Sequence, residues 1–158
     1  MKKAVGKYAV IGDPVEHSLS PKIHNLFAKQ HGNQIEYEKI RVTKGLFVAF
    51  VEDFFSNRGA GLNITLPLKA EAFEIADTLD ADSKRCQAVN TLKPVNGKLR
   101  GFNTDGVGFL TDLEAWHGIT VKDKRILLLG SGGAAKGIVR PLLSREPKTL
   151  VIANRTLA

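Results

Sequence analysis

The sequence predicts an α/β fold: a mostly parallel open sheet, followed by a shorter βαβ unit. Two observations carry this expectation. Strand-like and helix-like segments alternate along nearly the whole chain, a pattern that calls for crossover helices between parallel strands. The most apolar strand-like segment, residues 125–129, then runs straight into Gly130-Ser131-Gly132-Gly133 and a helix-like segment. At 158 residues, with 43% hydrophobic and 25% charged residues, the chain has ordinary globular composition and can bury a sizeable core. A disordered, collagenous or low-complexity protein is excluded.

The elements follow in order. Residues 7–11 read as a first buried strand, ended by Gly12-Asp13-Pro14. Ser20 is expected to N-cap a helix with Pro21 at its first position. Ile23, Leu26 and Phe27 form its apolar stripe, and His31-Gly32 stops it. Residues 34–42 alternate weakly, as a second strand. Thr43 is expected to cap a helix whose apolar positions run from Leu46 to Phe55. Gly59-Ala60-Gly61 leads into a third strand, residues 62–65. Residues 70–79 read as a helix, with a turn around Asp82. Residues 88–92 and 98–102 read as strands joined at Asn96-Gly97, a strong hairpin signal. Asn103-Thr104 should cap a helix from Asp105 to about His117. The strand at 125–129, a helix at 134–143 and a strand at 149–153 complete the chain. The expected division is residues 1–104, an open sheet with helices on both faces, and residues 105–158, a partial Rossmann nucleotide-binding unit.

Charge narrows the function classes. Lys+Arg total 23 and Asp+Glu 16, a net +7. No Lys/Arg run exceeds two residues and no basic-aromatic stripe exists, so nucleic acid is not the expected partner. Small carboxylates or phosphates account better for the surplus. No apolar run approaches the roughly 18 residues of a membrane span. The basic start Met1-Lys2-Lys3 is followed by an apolar stretch too broken for a signal peptide. A cytoplasmic location is expected, and the single Cys86 cannot form an intramolecular disulfide. The four histidines show no ligand spacing, so no metal is expected.

Four motifs carry chemistry. Gly130-Ser131-Gly132-Gly133-Ala134-Ala135 fits G-x-G-x-x-[G/A] between a strand and a helix. Its glycines permit close backbone approach to a pyrophosphate at a helix N-terminus; a plain strand-to-helix turn is the alternative. About twenty residues on, Asn154-Arg155-Thr156 stands where an acid would bind the ribose of NAD. An arginine there suits a 2′-phosphate and favours NADP, although an exposed terminal arginine would look the same. In Asn63-Ile-Thr65-Leu-Pro-Leu-Lys69, Asn63 and Thr65 share a strand face at the carboxyl end of a strand. Lys69 alone would read as a solvated surface residue. Ser18 and Ser20 flank a helix start and suit a carboxylate, while Ser20 is also explained as a simple cap. Asp105 fits an acid in a first helical turn, and Asn90 a polar strand end.

Together and in this order, these segments resemble the shikimate dehydrogenase family. The resemblance runs from Lys7 to Thr156. It rests on S-L-S-P-x-x-H-N at 18–25, N-x-T-x-P-x-K at 63–69, A-V-N-T at 88–91, G-x-N-T-D-G at 101–106, and G-S-G-G-A-A with N-R-T. The resemblance implies reversible NADPH-dependent reduction of 3-dehydroshikimate to shikimate, a step of aromatic amino-acid biosynthesis. It assigns Ser18 and Ser20 to the substrate carboxylate, and Asn63, Thr65, Asn90 and Asp105 to the ring hydroxyls. Lys69 and Asp105 become the catalytic pair, held in a cleft across which the two domains face each other. Gly130–Ala135 would hold the pyrophosphate of NADP, and Asn154, Arg155 and Thr156 its 2′-phosphate end.

Family members continue well beyond the last residue of this chain. The cofactor site is therefore expected to be incomplete and the chain by itself inactive or nearly so. A quinate/shikimate dehydrogenase is a neighbouring reading, disfavoured by Arg155 and the two serines. A non-catalytic fragment, binding shikimate or a nucleotide or forming a homodimer through an exposed sheet edge, is the reading from another class.

Overall fold

A computed structural model describes residues 5–156. The Met1-Lys2-Lys3 stretch weighed above lies outside them. Six strands form the first sheet: β1 (Gly6–Gly12), β2 (Ile35–Arg41), β3 (Gly59–Ile64), β4 (Thr78–Leu79), β5 (Thr91–Val95) and β6 (Lys98–Phe102). Their order is β2-β1-β3-β5-β6-β4. The β1 pairings with β2 and β3 are parallel, as is β4 with β6. Only β5 runs the other way, antiparallel to β3 and β6. The mostly parallel open sheet is as expected.

Alternation along β1 feeds two faces. Ala9 and Ile11 join Phe47 and Val51 of α2 (Phe47–Ser56) and Ala72 of α3 (Lys69–Ile75) in the main core. Val10 and Tyr8 pack instead with Tyr37 of β2, against which His24 of α1 (Ser20–Gln30) stacks. Helices therefore cover both faces. The hairpin of β5 and β6 turns at Asn96 and Gly97, both at positive φ (52° and 73°), the geometry that an Asn-Gly pair favours.

A second, two-stranded parallel sheet holds β7 (Arg125–Leu129) and β8 (Thr149–Ala153), in register throughout. It packs through Ile126 and Leu150 on α5 (Asp105–Thr111) and α6 (Gly133–Leu143). A wide π turn (Asp112–Trp116) extends α5 toward the expected end of its helix. No helix among the described residues is long and apolar enough to cross a membrane.

Several local expectations are corrected. The helix expected over 70–79 stops at Ile75, and Thr78–Leu79 pairs with Arg100 and Gly101 instead. The Asp77 carboxylate also accepts the Leu99 N–H at 2.6 Å, so pairing with β6 overrides the local helical pattern. The strand expected from Ala88 begins at Thr91, because Val89 turns its N–H to the Lys69 carbonyl. Thr65 lies past the end of β3, its carbonyl accepting the Leu68 N–H in a turn. Ser20 is not the cap of α1; Leu19 occupies that position, and Ser18 Oγ accepts the Ser20 N–H at 3.3 Å. Thr43 precedes a 3-10 turn (Lys44–Leu46) and makes no side-chain capping bond. The short helix α4 (Ala81–Cys86) is capped by Asp80, which accepts from Ser83 N–H and Oγ.

Candidate active site

The topology brings four chain segments to one edge of the first sheet. Strands β1, β3 and β6 deliver their carboxyl ends there, and the reversed β5 delivers its amino end. Ser18 and Ser20 thus follow β1, Asn63 lies one residue before the end of β3, Asn90 precedes β5, and Asp105 follows β6. This is the edge at which open α/β sheets receive ligands. The loops after β1 and β3 are stitched together, Asp13 N–H to Leu66 O and Thr65 N–H to Ile11 O, each at 2.9 Å.

Lys69 and Asp105 meet at 2.6 Å, Nζ to Oδ2. Their side chains are 15% and 24% exposed, so the pair is accessible yet shielded enough for charge to matter. Lys69 opens α3, the positive end of a helix; a cation there is unfavourably placed, and the Asp105 carboxylate offsets it. The other Asp105 oxygen accepts from Asn90 Nδ2 at 2.8 Å. Asn90 Oδ1 in turn accepts from Thr91 Oγ1 and from the Thr104 N–H. Asn63 donates to Thr91 Oγ1 at 3.1 Å and accepts from Tyr37 Oη at 2.6 Å. A continuous polar chain therefore runs from Tyr37 through Asn63, Thr91 and Asn90 to Asp105 and Lys69.

Ser18 and Ser20 sit at the far end of that chain. Their hydroxyls are 3.1 Å apart, and the Ser20 carbonyl holds His24 Nδ1 at 2.9 Å. The His24 ring stacks on Tyr37 at 4.4 Å between centroids. Burial pushes the Tyr37 hydroxyl up to about 12, with a Ser20 hydrogen bond pulling the other way, so the phenol is a neutral donor at ordinary pH. Thr65 is half-buried with its methyl near Gly12 and stands apart from this chain of hydrogen bonds. A cavity of about 600 Å3 between α4, α5 and α6 does not include Lys69 or Asp105.

The glycine loop lies close by: Leu66 Cδ2 is 3.7 Å from where a Cβ on Gly133 would stand. Gly130 has φ +106°, which demands glycine, and its N–H is tied to the Ala153 carbonyl at 2.7 Å. A Cβ on Gly130 or Gly132 would meet nothing within 4 Å, so the loop is open to an approaching group. The first N–H groups of α6 receive no side-chain cap. These features fit a dinucleotide pyrophosphate. Ser131 and Ala134 are exposed, whereas Ala135 is buried and serves helix packing. Asn154 bonds the Thr156 carbonyl at 2.7 Å, and Arg155 is exposed beside it.

The family profile of the shikimate dehydrogenase substrate binding domain matches residues 10–92, more than half of the chain. This chain belongs to that family. It is 47% identical over 156 residues to the shikimate dehydrogenase (NADP(+)) of Janthinobacterium sp. (strain Marseille), covering 99% of this chain and 57% of the relative. It is 49% identical to that of Alteromonas mediterranea, over 96% of this chain and 55% of the relative. Shikimate dehydrogenase from Aquifex aeolicus superposes with a TM-score of 0.91 at 36% identity, over 99% of this chain and 58% of that one. The Thermus thermophilus enzyme, solved in complex with NADP(H) and shikimate, gives 0.88 at 36% identity, over 96% and 57%. The chain thus spans a little over half the length of the relatives it matches. Ser18, Ser20, Asn63, Thr65, Lys69 and Asn90 fall inside the profile's stretch, and Asp105 and the glycine loop beyond it.

Sequence reasoning missed Tyr37, Thr91 and Asn103. Asn103 is 3% exposed; it accepts the Asp105 N–H and donates to the Ala88 carbonyl, each at 3.0 Å. Its place in the N-T-D-G motif was the available signal. Tyr37 offered one too, as the lone aromatic in a charged strand, but its partners lie 26 positions away in Asn63 and 13 in His24.

Proposed function

We propose that this chain carries the substrate-binding half, and the start of the cofactor-binding unit, of an NADP-dependent shikimate dehydrogenase. The reaction is reversible reduction of 3-dehydroshikimate to shikimate. The observation that carries this reading is the Lys69–Asp105 pair at 2.6 Å, joined through Asn90 to Asn63 at the ligand edge of the sheet. Two separate sheets with separate cores support a division into residues 1–104 and 105–158. The proposed compartment is the cytoplasm.

Ser18 and Ser20 are assigned to the substrate carboxylate, and Asn63, Thr65, Asn90 and Asp105 to the ring hydroxyls. Gly130–Ala135 would hold the pyrophosphate of NADP, and Asn154, Arg155 and Thr156 its 2′-phosphate. NADPH, when bound there, would be the source of the hydride. Lys69 stabilises the negative charge that grows on the carbonyl oxygen and gives that oxygen a proton. In the reverse direction neutral Lys69 accepts the hydroxyl proton. Asp105 holds the Lys69 nitrogen in place and shares its second oxygen with Asn90 and the substrate hydroxyl. A ligand lacking a hydroxyl would leave these groups unpaired, which supplies specificity.

Titration of the 158-residue chain with shikimate, followed by amide-resolved NMR with Lys69→Ala as control, tests the reading. Shifts are expected near Ser18, Asn63 and Asn90 and should weaken in the variant. A folded spectrum indifferent to shikimate would overturn it. Turnover of shikimate with NADP should be absent or nearly so, since the second sheet has two strands among the described residues. A second, assembling reading is favoured by Leu127, Leu129 and Val151, which are 62%, 77% and 51% exposed on that sheet. A solution mass above 17.2 kDa would support it.

A further inference from the structure

Gly137 lies in the middle of α6, where glycine weakens a helix relative to alanine. It is nonetheless buried. A Cβ at Gly137 would stand 3.2 Å from both Cβ and Oδ2 of Asp105, and 3.7 Å from Oδ1 of Asn103. Oδ2 is the oxygen that holds Lys69. The facing glycine, Gly106 of α5, is more tightly fitted: a Cβ there would meet Pro141 Cγ at 2.2 Å and the Gly137 carbonyl at 2.8 Å. Pro141 has no N–H to give that carbonyl, so the helix has no donor four residues on for it. Two helices thus touch backbone to backbone, with the Asp105 carboxylate in the seam. α6 is the helix that opens from the glycine loop.

We propose that Gly137 is a positioning residue for the Lys69–Asp105 pair. Its missing side chain lets the nucleotide-loop helix seat the Asp105 carboxylate on Lys69, so the cofactor-side helix sets the acid–base geometry directly. This deepens the reading above and rests on it for its functional consequence.

Gly137→Ala separates this role from a structural one, because the two pull in opposite directions. As a helix substitution it should hold or raise Tm. As an intrusion on Asp105 it should displace the Lys69 ammonium resonance in 1H–15N spectra, assigned by its loss in Lys69→Ala, and lower shikimate affinity about tenfold. The resonance is read without ligand, so it tests the placement even where wild type fails to bind shikimate; that failure would sink the functional reading instead. An unchanged resonance and affinity in Gly137→Ala overturns the proposal. Should Gly137→Ala unfold the chain, the Asp105→Gly background, which lacks both contacted atoms, should restore stability. Destabilisation that persists in that background also overturns it.

Discussion

The two sheets of this molecule treat apolar residues differently. In the first, Ala9, Ile11 and Leu92 are fully buried, as is Phe47 of the α2 helix packed on it, and Leu62 is 1% exposed. In the second, the strands are as apolar or more so, yet Leu129 is 77% exposed and Leu127 62%. The first sheet is covered on both faces by helices from its own segment. The second has α5 and α6 on one face and nothing from residues 5–156 on the other. Apolar sequence marks a strand, but stability comes from what the strand is packed against. The first sheet should therefore anchor the fold, and β7 and β8 should open first and exchange their amides faster.

Truncation probes that contrast most strongly. Phe47→Ala should cost about 3–5 kcal/mol in urea unfolding, while Leu129→Ala should stay within about 0.5 kcal/mol. A Leu129→Ala cost near the Phe47 value would mean that the bare face is covered in solution. The next effect is set by pH. The Tyr37 hydroxyl is held at about 12 when folded, against 10 when exposed. The unfolded chain therefore ionises first, and stability present below pH 10 is lost as pH rises toward 12. The loss reaches at most about 2.7 kcal/mol, at 1.36 per unit. Tyr37→Phe should flatten that slope between pH 9 and 11.5; an equally steep variant would assign the loss elsewhere.

Removing Lys69 should weaken shikimate binding by roughly tenfold or more, the worth of a charge-assisted hydrogen bond of about 1.5–3 kcal/mol. Equal affinity in Lys69→Ala would take the lysine out of the first region's site. The smallest effect concerns Cys86 in α4. Burial pushes its thiol up, so at pH 8 it should react more slowly with a disulfide reagent than free cysteine does. A faster reaction would show that the segment opens readily and would blur the line between the two regions.

Most of the elements could be read locally. The glycine loop, the Asn96-Gly97 hairpin and the stripe of α2 each announce themselves within a few residues. Errors fell where distant pairing overruled local pattern, as at Thr78–Leu79, drawn out of a helical segment by Arg100 and Gly101. The serine pair shows the same limit in miniature. Ser20 has the residue type of a cap, but the turn after Val15 sets Ser18 at the distance that accepts its N–H.

The family resemblance nominated Lys69, Asp105, Asn63, Asn90 and the serines as a site; local signals mark only the strand ends and helix starts beside which they stand. Such signals could not say that Lys69 reaches across 36 positions to Asp105, or that Tyr37 and Thr91 complete the chain between the serines and the acid–base pair. Those contacts exist because β5 alone is reversed, which turns its amino end toward the edge where β1, β3 and β6 finish. Local propensities act over a turn or two of chain. The meeting of four chain segments at one sheet edge is fixed by strand order and direction, which pair residues far apart in the chain.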